Sequence, residues 1–364
     1  MDVEVERFEL EHASVSRLNQ FYRCPYLFKL FYIDEVPTAV HPLAKIGKKS
    51  HNYIYLYYRY INPAKLEEID GVELYEYILR FFEKYLIIRE DRNMEIIPVI
   101  QGFTDLECER ISSLKDKGYK GEEFAKYYLP VLREHKIEFE TDLPVFETRE
   151  FEKTVKKTGE VKMVKRRVQV AVVHVTFRMI VDAVFLNDDG SHVVIDWKTG
   201  YRKPSMYAGV NRQLYIYAHY LRVQEVKDRF GNVIDPKLLM VVFPRYTEAI
   251  FKERSDRSEK IVLTYMAKAF YQIAKGEFPR KPSMFKCGWI KDEDDQCGYF
   301  KEYCEEWAKD EGIFRVEEVE EDREEEDDEF EEDWDSEDWE EVEPDRDFSE
   351  GSWDSTEEDD MEPV

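Results

Sequence analysis

Cysteine is scarce in this chain, with five among 364 residues, too few and too scattered for the disulfide framework of a small secreted domain. No stretch is apolar for long enough to cross a bilayer. The first residues, Met1 to Glu11, alternate acidic and apolar side chains and lack the basic start and apolar run of a signal peptide. A cytoplasmic, or at least intracellular, protein without a membrane partner is expected. No G-x4-G-K-[ST] phosphate loop is present, which excludes a helicase motor of that kind, and no internal repeat is visible.

What the chain does have is acid, and its placement matters more than its amount. The net charge is −27. From Glu317 to the end there are 29 acidic residues and two basic ones, Arg323 and Arg346, which leaves 51 of each sign in the rest. The whole imbalance sits in the tail, so the overall charge says nothing against an acidic ligand for the body. The tail is too polar to fold alone, and a disordered segment over 316–364 is expected.

Residues 14–33 have helical spacing, with Ser14 or Ser16 as N-cap and a kink or break expected at Pro25. A second helix is expected from Pro42 through His51 into Tyr53–Tyr60, and 64–136 is mostly helical in pattern. From Ile137 the chain turns strand-like, around 140–150, 159–176, 177–187 and 192–198. A helix near 206–223, a strand at Leu238–Phe243 and a helix near 257–275 complete an α, antiparallel β, α-β-α order. That order predicts an α/β fold with a mixed sheet flanked by helices.

The segment Arg178–Gly200 carries the chemistry. Asp188-Asp189-Gly190 is a hairpin turn signal, and Asp182 and Asp196 each lie seven residues from its centre. The two carboxylates should face each other, with Cβ atoms roughly 4.5–5.5 Å apart. Like charges so placed disfavour a sheet unless a cation lies between them, and Mg²⁺ takes such oxygens. Lys198 emerges on the same face as Asp196, while Val193, Ile195 and Trp197 take the apolar face. By itself the segment fits a metal site or a surface hairpin with ordinary exposed acids. Two helical i, i+4 pairs, Gly47/His51 upstream and Gln213/Tyr217 downstream, add to it.

In this order, G-x3-H, Asp, D-x-K and Q-x3-Y, the chain resembles the RecB-like branch of the PD-(D/E)XK nuclease superfamily over roughly 14–304. The resemblance implies a restriction-endonuclease-like domain over 1–315, with a helical insertion at about 60–136. It implies a Mg²⁺ or Mn²⁺ ion held by His51, Asp182 and Asp196. Asp182, Asp196 and Lys198 would be catalytic, and Gln213 and Tyr217 would bind DNA. Cys24, Cys287, Cys297 and Cys304 are similar to the one-plus-three cysteines that hold a [4Fe–4S] cluster in CRISPR-adaptation exonucleases, AddB and exonuclease V. Nine residues separate Cys287 from Cys297, more than is usual there. Zinc, or four unpaired thiols, are the other readings of these residues. Cys108 belongs to no pattern.

Basic residues flank the motifs: Lys156, Lys157, Lys162, Lys165, Arg166 and Arg167 before the hairpin, and Lys45, Lys48, Lys49, Arg202 and Lys203 elsewhere. Such groups contact phosphates, or are plain solvated surface. Phe330, Trp334, Trp339, Phe348 and Trp353 interleave the tail's acids, so the tail reads as a DNA mimic, a docking segment for a replication or repair partner, or a spacer. The expected function is metal-dependent cleavage of DNA, as an exonuclease on single-stranded ends, in repair, recombination, replication or CRISPR and viral DNA processing. A non-catalytic DNA-binding scaffold is the alternative.

Overall fold

The structure, a computed structural model, describes residues 5–37, 42–88, 94–154, 161–187, 189–200, 206–281, 287, 299, 303–311 and 340–341. Cys297, Lys156, Lys157, Asp188, Arg202, Lys203 and nearly all of the acidic tail lie outside these residues. The chain divides into two compact units, one of Met1–Ala39, Ile137–Met179 and Lys260–Asp333, the other of Val40–Lys136, Ile180–Glu259 and Trp334–Val364.

In the first unit, β1 (Glu6–Ser14) runs parallel to part of β3 (Val161–Leu186), from Glu6 opposite Ala171 to Ser14 opposite Arg178. β3 also pairs with β2 (Leu132–Thr154). The helical pattern at 14–33 resolves into α1 (Val15–Arg23) and α2 (Pro25–Tyr32), and Ser14 Oγ caps α1 by accepting from the Arg17 amide at 3.2 Å. The break falls at Cys24, which is extended (φ −165°, ψ 117°), as the residue before a proline tends to be. The later part of α9 (Asp256–Ala274) packs Phe270 against Phe177 and Tyr271 against Phe8.

The second unit holds the end of β3, then β4 (His192–Trp197) antiparallel to it, β5 (Pro236–Phe243) parallel to β4, and β6 (Glu248–Glu253) antiparallel to β5. A two-residue strand from the tail, β7 (Glu340–Glu341), pairs with Ile250 and Phe251 of β6. One face of this sheet, through Ala183, Phe185, Val193, Ile195, Trp197, Met240 and Val242, packs on α3 (Pro42–Tyr60), α4 (Pro63–Glu68), α5 (Gly71–Ile88), α6 (Ile97–Asp116) and α7 (Glu122–Tyr128). At Gly102 of α6 a Cβ would lie 1.7 Å from the Pro244 carbonyl oxygen, so only glycine permits that approach. α8 (Met206–Val223) joins β4 to β5 and packs on both.

The fold is thus the expected mixed sheet flanked by helices. Three details differ. The strands expected at 159–176 and 177–187 are one, because no glycine, proline or turn pair interrupts Val161–Leu186. β1 and β6 were not anticipated: the acidic–apolar alternation of Met1 to Glu11 extends into β1, but that strand is largely exposed and its parallel partner lies far along the chain, and β6 is only six residues long. Among the described residues no helix is long and apolar enough to cross a membrane.

Candidate active site

The site residues of the second unit come from five elements, β2, β3, β4, α3 and α8. β4 is buried along its whole length and presents Asp196 on the face opposite Val193, Ile195 and Trp197. The hairpin register pairs Ala183 with Ile195, so Asp182 and Asp196 face each other one residue beyond the last paired rung. Gly190 closes the turn with φ +73°, a conformation that suits glycine. The Trp197 amide donates to Asp182 Oδ2 at 2.8 Å and fixes that carboxylate at the strand end.

Lys198 follows β4 and brings its Nζ to 2.6 Å from Asp196 Oδ2. From α8, Gln213 Nε2 donates to Asp196 Oδ1 at 2.5 Å and to the Tyr217 hydroxyl at 2.8 Å, while Gln213 Oε1 accepts from Lys198 Nζ at 3.3 Å. Gln213 and Tyr217 therefore share the helix face that the i, i+4 spacing predicts, and both join the acid–lysine pair. Tyr217 is 5% exposed, and its hydroxyl turns inward to the glutamine.

From α3, His51 Nδ1 lies 3.6 Å from Asp182 Oδ2 and 3.7 Å from Glu134 Oε1. Gly47, one turn earlier, sits where an added Cβ would be 3.7 Å from Thr199 Oγ1, so the helix passes close to the loop after β4. Glu134 is the residue that sequence reasoning missed. It lies in Leu-Arg-Glu-His-Lys at the start of β2, where nothing in the spacing sets it apart from its charged neighbours. Its backbone, however, is left-handed (φ 42°), uncommon for a non-glycine residue and found where the surrounding structure imposes a special aim. One ligand atom each from His51, Glu134 and Asp182 lies within 4.8 Å of the others.

The electrostatics bear the marks of a cation site. Burial opposes charge on His51, yet the nearby carboxylates of Asp182 and Glu134 outweigh it and raise the imidazole to about 10. Burial lifts Asp196 to about 6, with Asp182 adding to the rise and Lys198 opposing it. Although Lys198 sits beside it as an ion pair, the buried Asp196 Oδ2 receives no aligned hydrogen bond. An imidazole, two partly buried carboxylates and a buried carboxylate oxygen without an aligned hydrogen bond fit a hard divalent ion with oxygen and imidazole ligands.

In the first unit, Cys24, Cys287 and Cys304 line one cavity with Arg23, Tyr26, Leu27, Leu30, Lys281 and Tyr299. Tyr299, two residues after Cys297, is buried there with Leu27 and Leu30, and its hydroxyl donates to the Val36 carbonyl at 2.8 Å. Three thiols converging from the chain's start and from the end of the body are a donor set suited to a soft metal or an iron–sulfur cluster. Cys108 lies in α6 of the other unit, and burial pushes its thiol up to about 12.

The family model for the PD-(D/E)XK nuclease superfamily covers residues 12–305. No curated protein matches the chain.

Proposed function

The chain belongs to the PD-(D/E)XK nuclease superfamily, and from that premise we propose that it is a divalent-metal-dependent deoxyribonuclease acting as an exonuclease on single-stranded DNA ends. The observation that carries the reading is the convergence of His51, Glu134, Asp182, Asp196 and Lys198 on one site. His51, Glu134, Asp182 and Asp196 would hold Mg²⁺ or Mn²⁺, which would supply Lewis acidity toward a phosphodiester oxygen and toward water. Lys198, held by Asp196 and Gln213, orients or deprotonates the attacking water, or neutralises charge developing on phosphorus. Gln213 and Tyr217 form the DNA-binding side of the site, with Gln213 also fixing Asp196 and Lys198. In the same reading Cys24, Cys287, Cys297 and Cys304 hold a [4Fe–4S] cluster that ties the start of the chain to the end of the body, and the acidic tail contacts a replication or repair protein.

The test is cleavage of end-labelled single- and double-stranded DNA by protein purified without air, in Mg²⁺, Mn²⁺ or EDTA, beside Lys198→Ala. Metal-dependent shortening from one end that the variant lacks supports the reading, and the product ladder gives its polarity. Equal inertness of both proteins, folded and metal-replete, would favour a DNA-binding scaffold instead. Visible absorption together with iron and zinc analysis separates a cluster from zinc and from bare thiols.

A further inference from the structure

β3 is 26 residues long, and its first ten, Val161–Val170, precede the β1 ladder that starts at Ala171. Among the described residues their only strand partner is β2. At about 3.3 Å per residue this is a two-stranded ribbon roughly 33 Å long. Its outer part is exposed on both faces: Val161 is 59% and Met163 58% exposed, and Lys162, Lys165, Arg166 and Arg167 are exposed with them. The ribbon is anchored at Arg167, which stacks over Phe146 at 4.6 Å and donates to Thr264 Oγ1 of α9 at 3.4 Å. Residues 161–170 contain four cations and no acid, in a body whose charges balance overall. Lys165 lies 3.6 Å from Glu150, an exposed pair that contributes little and yields readily to another acceptor.

An isolated two-stranded ribbon buries little and is barely stable in water. A nucleic-acid duplex supplies what it lacks. The major groove of B-DNA, about 12 Å wide, admits a two-stranded β-ribbon, while that of A-form RNA is too narrow. We propose that the β2–β3 ribbon is a duplex-DNA grip, with Val161, Met163 and Lys165 on the face laid against the groove and Lys162 and Arg166, on the other face, reaching phosphates at its flanks. Resting on the nuclease reading above, this makes the substrate a DNA duplex that carries a single-stranded end rather than a free strand.

The experiment is fluorescence anisotropy in EDTA, from low to moderate KCl, with wild type and with Lys162→Ala/Lys165→Ala/Arg166→Ala. The probes are a DNA duplex with a single-stranded end, the single strand alone, and an RNA duplex of the same sequence. The three side chains are exposed, and matching circular dichroism and melting curves check that the variant is folded. For two phosphates, the salt slope on the DNA duplex should shrink by roughly 2 in the variant, with single-strand affinity within about twofold of wild type. Unchanged slope and affinity on the duplex overturn the grip and leave the residues as solvated surface. Equal, arm-dependent binding of RNA duplex overturns the groove assignment. The two readings fail separately: wild type that cuts DNA while the variant binds like it sinks the arm alone. Wild type that cuts nothing but loses duplex binding in the variant sinks the nuclease reading alone.

Discussion

Two of the carboxylates buried in the second unit are opposites. Glu107 of α6 is 3% exposed, and each of its oxygens is satisfied. Tyr58 donates to Oε1 at 2.7 Å, Tyr128 donates to Oε2 at 2.8 Å, and Arg110 reaches both oxygens at 3.3 and 3.2 Å. Tyr57 bonds Tyr128 in turn, and Arg110 donates to the Tyr128 carbonyl at 2.6 Å. Asp196 is 1% exposed, faces a second acid, and keeps one buried oxygen without an aligned donor. A buried charge with every lone pair met serves the fold, while one left incompletely met burdens it. The first pins α3, α6 and α7 together; the second is tolerated where a cation and a substrate complete it.

That contrast predicts opposite responses to substitution. Lys198→Ala and Asp196→Asn should each lower cleavage by about 10²–10⁴-fold, the range for a lost proton-transfer or charge-stabilising group. Asp196→Asn should at the same time leave the metal-free melting temperature unchanged or raise it, because it removes one of two opposed charges. An Asp196→Asn protein that melts well below wild type would break the comparison. Glu107→Ala should do the reverse. It strands Arg110 and two tyrosine hydroxyls in the core and should cost about 3–5 kcal/mol of stability, read by urea unfolding. Cleavage per folded molecule should be retained.

Glu134 sharpens the comparison at the site's rim. Its carboxylate touches only His51 among the groups described around it, yet it completes the candidate ligand set. Glu134→Gln should weaken metal binding by at least about tenfold, as loss of supporting groups around metals does, with less effect on cleavage at saturating metal. Titration of Mn²⁺ dependence in the cleavage assay reads this directly. Identical metal dependence in variant and wild type would remove Glu134 from the ligand set.

The two carboxylates also differ in how legible they were. Asp196 was visible because a hairpin turn at Gly190 and period-two alternation fix which residues oppose, and both are local features of sequence. The helix starts at Ser14 and Pro25 were legible for the same reason, since caps and prolines act over three or four residues. Glu107 and Glu134 were not, because their partners come from distant segments: Glu107 meets Tyr58 across 49 positions and Tyr128 across 21. Glu134 meets Asp182 only because β2 pairs with β3, a register that no pattern in 132–154 announces. The mixed sheet was readable from element order, but β1 depends on a parallel partner more than 150 residues away.

The smallest expected effect is on stability as a function of pH, and there the sign separates the two kinds of acid. Glu259, another buried carboxylate, resembles Glu107: it accepts from Arg254 at 2.6 Å and Arg222 at 2.6 Å and pairs with His219 at 2.8 Å. Burial alone would raise it, but the hydrogen bonds from His219 and Arg254 prevail and hold it at about 2, below its usual 4.5. Its contribution is therefore complete above pH 4.5 and is lost as pH falls from there toward 2. Asp196, held up at about 6 against a usual 3.8, binds its proton more tightly when folded. Without metal, it makes the folded state lose stability as pH rises from about 4 to 6. Urea unfolding in EDTA at pH 4 and 6 should show Asp196→Asn flattening that fall. Glu259→Gln should instead reduce the acid loss below pH 4.5, by at most about 1.4 kcal/mol per pH unit for one proton. If both variants shift the profile in the same direction, then Glu259 and Asp196 do not differ in kind, and the division between fold-serving and site-serving acids fails.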